Sequence, residues 1–506
     1  MRCLGFVLFS VFVQSFVFGQ PLESWHFSNK VTPEHFASQE FGSSVAISGD
    51  YAFVGNAKNH YTEFGKDTVY RAGAVFVYKR HWDNSWKLVQ KLTSANRQEN
   101  AHFGQFVAID GRNAIIGSYY GGDHFFQLDS TGTWVEMQNI VPDSASNFGW
   151  SVAIYGKYAF KGNIANYSNS SGGDSLNLSG GVYVYVRENG VWRYQEKLVP
   201  PKRYADDMFG WSISAYGDYL VVGSPGHSFD DDGKDSTQRA GAAYVYHRKT
   251  NGRWEFMQKM AARHSPYMRQ EEARFGESVG ILKDKIAVGA PYLDNRTFSF
   301  EKEAGIVVVY ALNDTIWNFK SSFTGNAKEK EWFGRSISVG EESILVGASH
   351  GAFVLLGGRH NWLARQSIES PIKKEGYNTA FGSSVAMSGN NLAITASYDY
   401  LNEEGQDSVA AAGAAYFYHY GWPASTGVQE SVSWQVYPNP TEGNIIISGM
   451  VNRGVRVLIS DTRGRLLCEK EIIGSQNMML EGDSGLYFIR LVDEKGNMKM
   501  EKVLKL

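Results

Sequence analysis

The chain has 506 residues, with 49 Lys and Arg against 52 Asp and Glu, so its formal net charge is −3. A near-neutral chain offers no bulk positive field to nucleic acid or to an anionic membrane, and we expect neither as a partner. Hydrophobic residues make up 43% and aromatic residues 14% of the chain, beside 54 Gly and only 12 Pro. This composition excludes a disordered chain and predicts short strands joined by tight turns.

The first residues have the layout of a secretory signal peptide. Arg2 precedes an almost unbroken apolar run, and the small residue Gly19 stands before Gln20. The run is shorter than the roughly 20 residues that a helical anchor needs. We therefore predict a signal peptide over residues 1–19, cleaved between Gly19 and Gln20, and no transmembrane segment in the mature chain.

The dipeptide Phe-Gly recurs seven times, and a second marker, usually Gly, stands fourteen residues after each Phe. The marker pairs are Phe41 and Gly55, Phe103 and Gly117, Phe148 and Gly162, Phe209 and Gly223, Phe275 and Gly289, Phe333 and Gly347, and Phe381 and Thr395. Apolar residues alternate with others between the markers, which predicts a β-hairpin. A third strand such as AGAVFVY follows, and then a fourth that begins near a Trp. Each repeat of about 57 residues thus predicts a four-stranded propeller blade.

The seventh repeat lacks its fourth strand, but a matching segment lies at the N-terminus. SWHFSNK, beginning at Ser24, aligns with SWKLVQK, beginning at Ser85. We predict that this segment completes the last blade, because a ring closed in this way has no open edge. The predicted fold class is all-β: a seven-bladed β-propeller over residues 20–421, closed by an N-terminal strand, followed by a small Ig-like β-sandwich.

These repeats resemble the FG-GAP repeats of the integrin α-subunit head and of its bacterial relatives. Phe275-Gly276 together with Gly289-Ala290-Pro291 is the copy most similar to that family. The resemblance implies the propeller fold over most of the chain. It implies little about function, since propellers host many unrelated activities.

The loops between second and third strands are long in five repeats and short in the second and sixth. Long loops on a rigid scaffold are where binding is expected. Aromatic side chains beside Asn, Asp and Gly suit a glycan, a peptide or a matrix protein. The candidate ligand-binding residues on this long-loop face are Tyr61, Tyr119, Tyr120, Tyr167, Phe229, Tyr292, Phe298, Tyr398 and Tyr400.

Three of the long loops carry acidic residues around a Gly. Their carboxylate oxygens are the kind of ligand that Ca²⁺ binds. The candidate metal residues are Asp67, Asp230, Asp232, Asp235, Glu403 and Asp407. Integrin-type repeats hold calcium in the first hairpin instead, and here that hairpin is too short. The favoured interpretation is therefore that these clusters are solvated turns set by Asp and Gly, and a calcium site is the alternative. Ca²⁺ is the one cofactor candidate.

No motif predicts catalysis. GESVG at 276–280 matches a hydrolase nucleophile elbow, but Ser278 occupies an ordinary repeat position and no strand-to-helix turn is predicted there. An exported, monomeric binding or adhesion protein is the leading hypothesis. A carbohydrate-active enzyme with two rim carboxylates and a purely structural scaffold remain the alternatives.

After a predicted linker at 422–432, residues 433–506 form a separate β-rich segment. Its marker residues are Tyr437, Pro438, Asn439, Pro440, Gly443, Gly485 and Tyr487. This segment resembles the C-terminal sorting domain of type IX secretion in Bacteroidetes. The resemblance implies that the secretion machinery is a partner and that the protein is secreted or held at the outer-membrane surface.

Overall fold

The computed structural model describes residues 24–33, 40–61, 68–81, 83–141, 149–165, 168–171, 173, 175–230, 236–261, 269–295, 301–326, 328–357, 362–371, 379–401, 412–421, 435–448, 454–461, 466–493 and 498–506. All helical or extended structure in these ranges is β. No helix there is long and apolar enough to cross a membrane. The predicted signal peptide, with Gly19 and Gln20, and the predicted linker lie outside the described residues.

The chain divides into two compact units, and Phe27–Tyr420 is the larger. Seven four-stranded sheets, all in the described part of the chain, form its blades. Blade one comprises β2 (Phe41–Ser48), β3 (Tyr51–Asn56), β4 (Ala74–Arg80) and β5 (Trp86–Leu92), and blade two comprises β6 (Phe106–Asp110), β7 (Asn113–Gly117), β8 (Asp123–Leu128) and β9 (Trp134–Ile140). Blade three comprises β10 (Ser151–Tyr155), β11 (Tyr158–Asn163), β12 (Gly181–Glu188) and β13 (Val191–Leu198), and blade four comprises β14 (Ile213–Tyr216), β15 (Tyr219–Ser224), β16 (Ala242–Arg248) and β17 (Trp254–Met260). Blade five comprises β18 (Ser278–Leu282), β19 (Lys285–Ala290), β20 (Ile306–Asn313) and β21 (Ile316–Phe323), and blade six comprises β22 (Ser336–Val339), β23 (Ser343–Gly347), β24 (Ala352–Gly357) and β25 (Trp362–Ile368). Blade seven comprises β26 (Phe381–Ser388), β27 (Asn391–Ala396), β28 (Ala414–Gly421) and β1 (Ser24–Val31).

The first strands of the blades form a closed inner ring. β2, β6, β10, β14, β18, β22 and β26 each contact the first strand of the next blade, and β26 contacts β2. The seventh sheet has the order β1-β28-β27-β26, so its outer strand comes from the N-terminal end of the chain. The predicted seven-bladed propeller and its closure by an N-terminal strand are confirmed.

The repeated motif joins neighbouring blades. The Phe103 amide donates a 2.9 Å hydrogen bond to the Ala72 carbonyl of the preceding blade, and its ring is fully buried. Ser278 Oγ donates at 2.6 Å to the carbonyl of Gly334 in the next blade. Buried backbone groups need such partners, so the motif recurs wherever two blades meet. Ser278 therefore has a structural role, as its repeat position predicts.

The second marker is Gly for a steric reason. A Cβ added at Gly223 would lie 2.0 Å from the Gly276 carbonyl oxygen and 2.3 Å from Ser212 Oγ. Ser212 Oγ itself donates to that carbonyl at 2.9 Å. A side chain at this position would push two blades apart.

Replacing Gly223 by Ala is expected to lower the free energy of unfolding by about 3 kcal/mol or more, because backbone of the next blade must move. Ser212→Ala removes only the hydrogen bond and is expected to cost about 1 kcal/mol. Urea unfolding of both variants measures the difference. Equal, small effects would contradict the steric explanation.

A second belt of contacts holds the outer strands. The Trp134 amide donates to Gln90 Oε1 of the preceding blade at 2.9 Å, and Gln90 Nε2 donates back to the Trp134 carbonyl at 2.8 Å. The Trp134 ring meets Phe53 edge to face at 4.9 Å between centroids and is 2% exposed. The repeated Trp of the fourth strand is therefore an interblade packing residue.

The second unit contains two sheets after Gly421. They are built from β29 (Gln435–Tyr437), β30 (Asn444–Ser448), β31 (Gly454–Asp461), β32 (Leu466–Ile473), β33 (Gln476–Met479), β34 (Gly485–Asp493) and β35 (Met498–Lys505). The sheet orders are β29-β30-β33 and β32-β31-β34-β35. Their apolar residues, among them Ile447, Val457 and Ile489, share one core, which confirms the predicted β-sandwich.

Candidate functional site

The long loops and the Phe-Gly motifs lie at the same end of each blade. A long loop leaves the end of the second strand, and the second strand is antiparallel to the first. The end of the second strand is therefore level with the start of the first strand. The residue that follows each Phe-Gly stands at the start of an innermost strand, next to the central axis on the long-loop face.

These axial positions hold different side chains in the seven blades. In chain order they are Ser43, Gln105, Trp150, Trp211, Glu277, Arg335 and Ser383. Three consecutive blades thus provide Trp, Trp and Glu, and the next provides Arg. Sequence analysis overlooked this series, although the fixed position after Phe-Gly would have identified it.

Aromatic rings form one side of the site. The centroids of Trp150 and Trp211, from neighbouring blades, are 4.6 Å apart with their planes at 42°. Tyr119 meets Trp150 edge to face at 5.9 Å, and His102 meets Tyr119 at 5.5 Å. All four side chains are half-buried. The rings therefore form a continuous apolar surface that solvent can reach.

Charged groups form the other side. Trp211 acts on the Glu277 carboxyl as a hydrogen-bond donor that lowers its pKa, and Glu277 Oε2 is shielded from solvent with no partner among the described residues. The Arg335 guanidinium lies 5.9 Å from the centroid of the Trp332 ring. Trp332 and Tyr292 are 6.1 Å apart. We call this group the axial cluster and define it as Tyr119, Trp150, Trp211, Glu277, Tyr292, Trp332 and Arg335.

The position of Glu277 changes its protonation. Burial raises the pKa of the Glu277 carboxyl to about 7, while Arg274, Arg335 and the hydrogen bond from Trp211 act in the opposite direction. Burial also lowers the pKa of Arg335 from its ordinary value. The axial cluster therefore contains a carboxyl group that changes charge near neutral pH.

A pH-dependent stability follows from this carboxyl group. An ordinary Glu has a pKa near 4.5, so between about pH 4.5 and 7 the folded protein binds more protons than the unfolded chain. Stability must then fall as pH rises through this window. Relative to Glu277→Gln, we expect the wild type to lose about 1–3 kcal/mol of unfolding free energy between pH 5 and 8. Urea unfolding of both proteins at a series of pH values measures this loss. Parallel profiles of unfolding free energy against pH for the wild type and Glu277→Gln would contradict the prediction.

The predicted rim residues fall into three groups. Tyr119 and Tyr292 belong to the axial cluster, and Tyr398 interacts electrostatically with Arg335. Four others lie in the stems of the long loops or in the short loop of the second blade. One of them, Phe229, stacks on Tyr204 with the ring centroids 4.1 Å apart. These four are Tyr61, Tyr120, Phe229 and Tyr400. Tyr167 and Phe298 lie outside the described residues.

The calcium hypothesis stays a prediction. Asp67, Asp232, Asp235, Glu403 and Asp407 lie outside the described residues. Asp230 is described, and its carbonyl oxygen accepts a 3.0 Å hydrogen bond from Lys259. Within the described ranges no cluster of three or more His, Cys, Asp or Glu side chains could hold a metal.

Lysines on the fourth strands hold the stems of the long loops. Each one is five residues after the repeated Trp and donates to carbonyl oxygens six or seven residues after the second marker. The contacts, at 2.7–3.0 Å, join Lys197 to Ser168 and Asn169, Lys259 to Phe229 and Asp230, and Lys30 to Leu401. The short-loop blades have Asn139 and Ser367 at this position, and the long-loop fifth blade has Ser322. These lysines support the long-loop face, and their contacts with the loop stems were not predicted from the sequence.

A groove of about 390 Å³ lies on the side of the fourth blade, away from the axis. Tyr204, His227, Phe256 and Lys259 line part of it. His227 Nδ1 is 2.9 Å from Asp207 Oδ1, and its Nε2 is 2.8 Å from Lys259 Nζ. These polar groups satisfy one another, so the groove offers a ligand fewer hydrogen-bonding groups than the axial cluster does.

The marker residues of the C-terminal unit hold its last strand. Asn439 Nδ2 donates to the Lys502 carbonyl at 2.6 Å, and Asn439 Oδ1 accepts from the Leu504 amide at 3.0 Å. The Tyr487 hydroxyl donates to the Asp483 carbonyl at 2.7 Å. The PNP segment and the terminal strand are therefore parts of one structure. Pro438, Pro440, Gly443 and Gly485 complete the predicted marker set.

Comparison with known proteins agrees with both units. The FG-GAP repeat family matches residues 25–78, 86–132 and 192–246, and the family described as a secretion system C-terminal sorting domain matches residues 435–505. No curated protein matches the chain significantly. Among solved structures, the β-propeller domain of Myceliophteria thermophila Cps50 (Swd1) is 10% identical with a TM-score of 0.45, over 78% of this chain and 99% of that one. Such a distant likeness carries no functional argument.

The sorting domain directs type IX secretion to the cell surface or the medium, as the marker residues predict. The chain is therefore an exported seven-bladed β-propeller with FG-GAP repeats that ends in a type IX secretion C-terminal sorting domain.

Proposed function

We propose that this protein is a binding protein whose propeller recognises a glycan at the axial cluster. The observation that carries the proposal is the pair Trp150 and Trp211, half-buried rings from two blades beside the hydrogen-bonding carboxylate of Glu277. Sugars combine apolar C–H faces with hydroxyl groups, and a site for them needs aromatic faces next to a few polar groups. The described stems of the long loops lie at the same end of the blades as this site.

A glycan-cleaving enzyme is the alternative, and the raised pKa of Glu277 is the observation that favours it. Such enzymes need a second carboxyl group about 5–10 Å away. Glu303 Oε2 accepts a 2.7 Å hydrogen bond from the Trp332 indole, and Glu40 pairs with Lys58. Glu303 acts electrostatically on Tyr292 and Glu40 on Tyr119, and both carboxylates already have partners, which supports binding over cleavage.

Trp211→Ala is expected to weaken glycan binding about tenfold or more, equal to about 1.4 kcal/mol, because the ligand loses a stacking surface. The purified protein is screened on a glycan array, and its affinity for the best ligand is measured by calorimetry. Tyr194→Ala, an exposed aromatic residue on the outer β13, serves as the control and should leave affinity unchanged. Absence of any glycan ligand would refute the proposal, and release of shortened glycans would establish the enzyme instead.

A further inference from the structure

Glu277 and Arg335 are neighbours that do not pair. They stand at the same repeat position in the fifth and sixth blades and interact electrostatically. Yet no ion pair joins them in the described part of the chain, and no hydrogen-bond acceptor there meets the Arg335 guanidinium. Other arginines of the propeller differ: Arg80 binds Asp50 at 2.7 Å, and Arg187 binds Asn113 at 2.7 Å.

Unsatisfied groups of this kind carry a free-energy cost. The unpartnered Glu277 Oε2 is shielded from solvent, and the Arg335 side chain is half-buried over Trp332. Buried polar groups are nearly always hydrogen-bonded, so the shielded Glu277 oxygen is open to a donor from a ligand. The half-buried Arg335 guanidinium, which solvent can reach, is open to an anion beside it.

The chemistry of the two groups describes that ligand. A guanidinium fork binds a carboxylate or sulfate through two parallel hydrogen bonds, and the Glu277 oxygen accepts a hydrogen bond from a hydroxyl group. Next to these groups, the rings of Trp150 and Trp211 provide a surface on which the apolar face of a sugar ring can pack. We propose that the ligand is an acidic saccharide whose carboxylate or sulfate binds Arg335 and whose hydroxyl group binds Glu277. This inference rests on the proposed function and adds the charge of the ligand.

Arg335→Gln tests the inference, with Arg274→Gln as the matched control. Arg274 lies beside the axial cluster without belonging to it: its guanidinium is 4.9 Å from the Tyr292 ring centroid and pairs with Glu272 at 3.8 Å. The probes are a uronic acid oligosaccharide, a sulfated oligosaccharide and a neutral oligosaccharide, each titrated by calorimetry. We expect Arg335→Gln to weaken binding of the acidic probe at least tenfold and to leave the neutral probe within twofold, whereas Arg274→Gln changes either affinity less.

Three further measurements separate a loss of anion recognition from a folding defect. Arg335 has no hydrogen-bond acceptor to lose among the described residues, so the thermal unfolding temperature of Arg335→Gln should match that of the wild type. Arg335→Lys keeps the charge but not the fork, and we expect an intermediate affinity for the acidic probe. Raising the salt concentration should weaken binding of the acidic probes but not of the neutral probe.

The outcomes separate the two proposals. The carboxylated and sulfated probes decide which anion Arg335 binds. Tight binding of the neutral probe alone, or an equal loss for acidic and neutral probes in Arg335→Gln, would overturn the inference while leaving glycan binding intact. Binding of an acidic peptide and of no glycan would overturn both.

Discussion

Replacing Lys30 by Met is expected to lower the free energy of unfolding of the propeller by about 3–5 kcal/mol. Lys30 lies on β1, the strand that closes the ring, with its ammonium 3.0 Å from Asp399 Oδ2 and 2.7 Å from the Leu401 carbonyl. Both charged side chains are at most 1% exposed. Met fills a similar volume but leaves the Asp399 carboxylate buried beside the Tyr416 hydroxyl without a cation.

Two variants make this prediction specific. Lys30→Met combined with Asp399→Leu removes both charges and should recover most of the lost stability, because the cost arises from an uncompensated buried charge. Lys91 occupies the equivalent strand position in the first blade, half-buried and 5.2 Å from the Phe76 ring centroid, so Lys91→Met should cost clearly less. Urea unfolding followed by tryptophan fluorescence compares them. A similar cost for Lys30→Met and Lys91→Met would contradict a special role of the closing strand.

Deletion of residues 433–506 is expected to reduce the amount of protein at the cell surface and in the medium to background. The sorting domain is the part of the chain that the type IX machinery recognises, so the truncated protein should accumulate in the periplasm. Immunoblots of separated periplasm, outer membrane and medium measure the distribution. Normal delivery of the truncated chain would refute the role of this domain.

A point variant tests whether recognition depends on the geometry around the last strand. Asn439→Ala removes two hydrogen bonds, to the Lys502 carbonyl and from the Leu504 amide. We expect it to reduce surface delivery severalfold. Ser475→Ala, which removes an exposed 3.2 Å contact with Ser448, is the control and should be delivered normally. Equal delivery of both variants would show that this anchoring is dispensable.

Much of the fold could be predicted because each blade repeats its own local pattern. The alternation between Phe275 and Gly289 predicts a hairpin, and the structure pairs β18 with β19 in that register. Closure was also predictable, since the segment at Ser24 matches the fourth strand at Ser85. In the sorting domain, β29, β32 and β33 were not predicted. β29 has only three residues and β33 only four, and the apolar residues of the eight-residue β32 lie at its two ends instead of alternating.

The candidate site was predictable only in part. Long loops indicated the correct face, and they led to Tyr119 and Tyr292. The central residues of the cluster were missed because the side chains appear unremarkable one at a time. A Trp or Glu after Phe-Gly is an ordinary strand residue until its neighbour in the next blade is known.

The sequence alone determined the number of blades, the strand that closes the ring and the sorting domain, because these depend on spacings along the chain. Only the tertiary structure decided that Trp150, Trp211, Glu277 and Arg335 share one site. Each comes from a different blade, and the packing of consecutive blades around the axis brings together positions that are far apart in sequence. The same packing leaves Glu277 and Arg335 as neighbours without an ion pair in the described part of the chain, and this relation between two blades cannot be seen in the sequence of a single repeat.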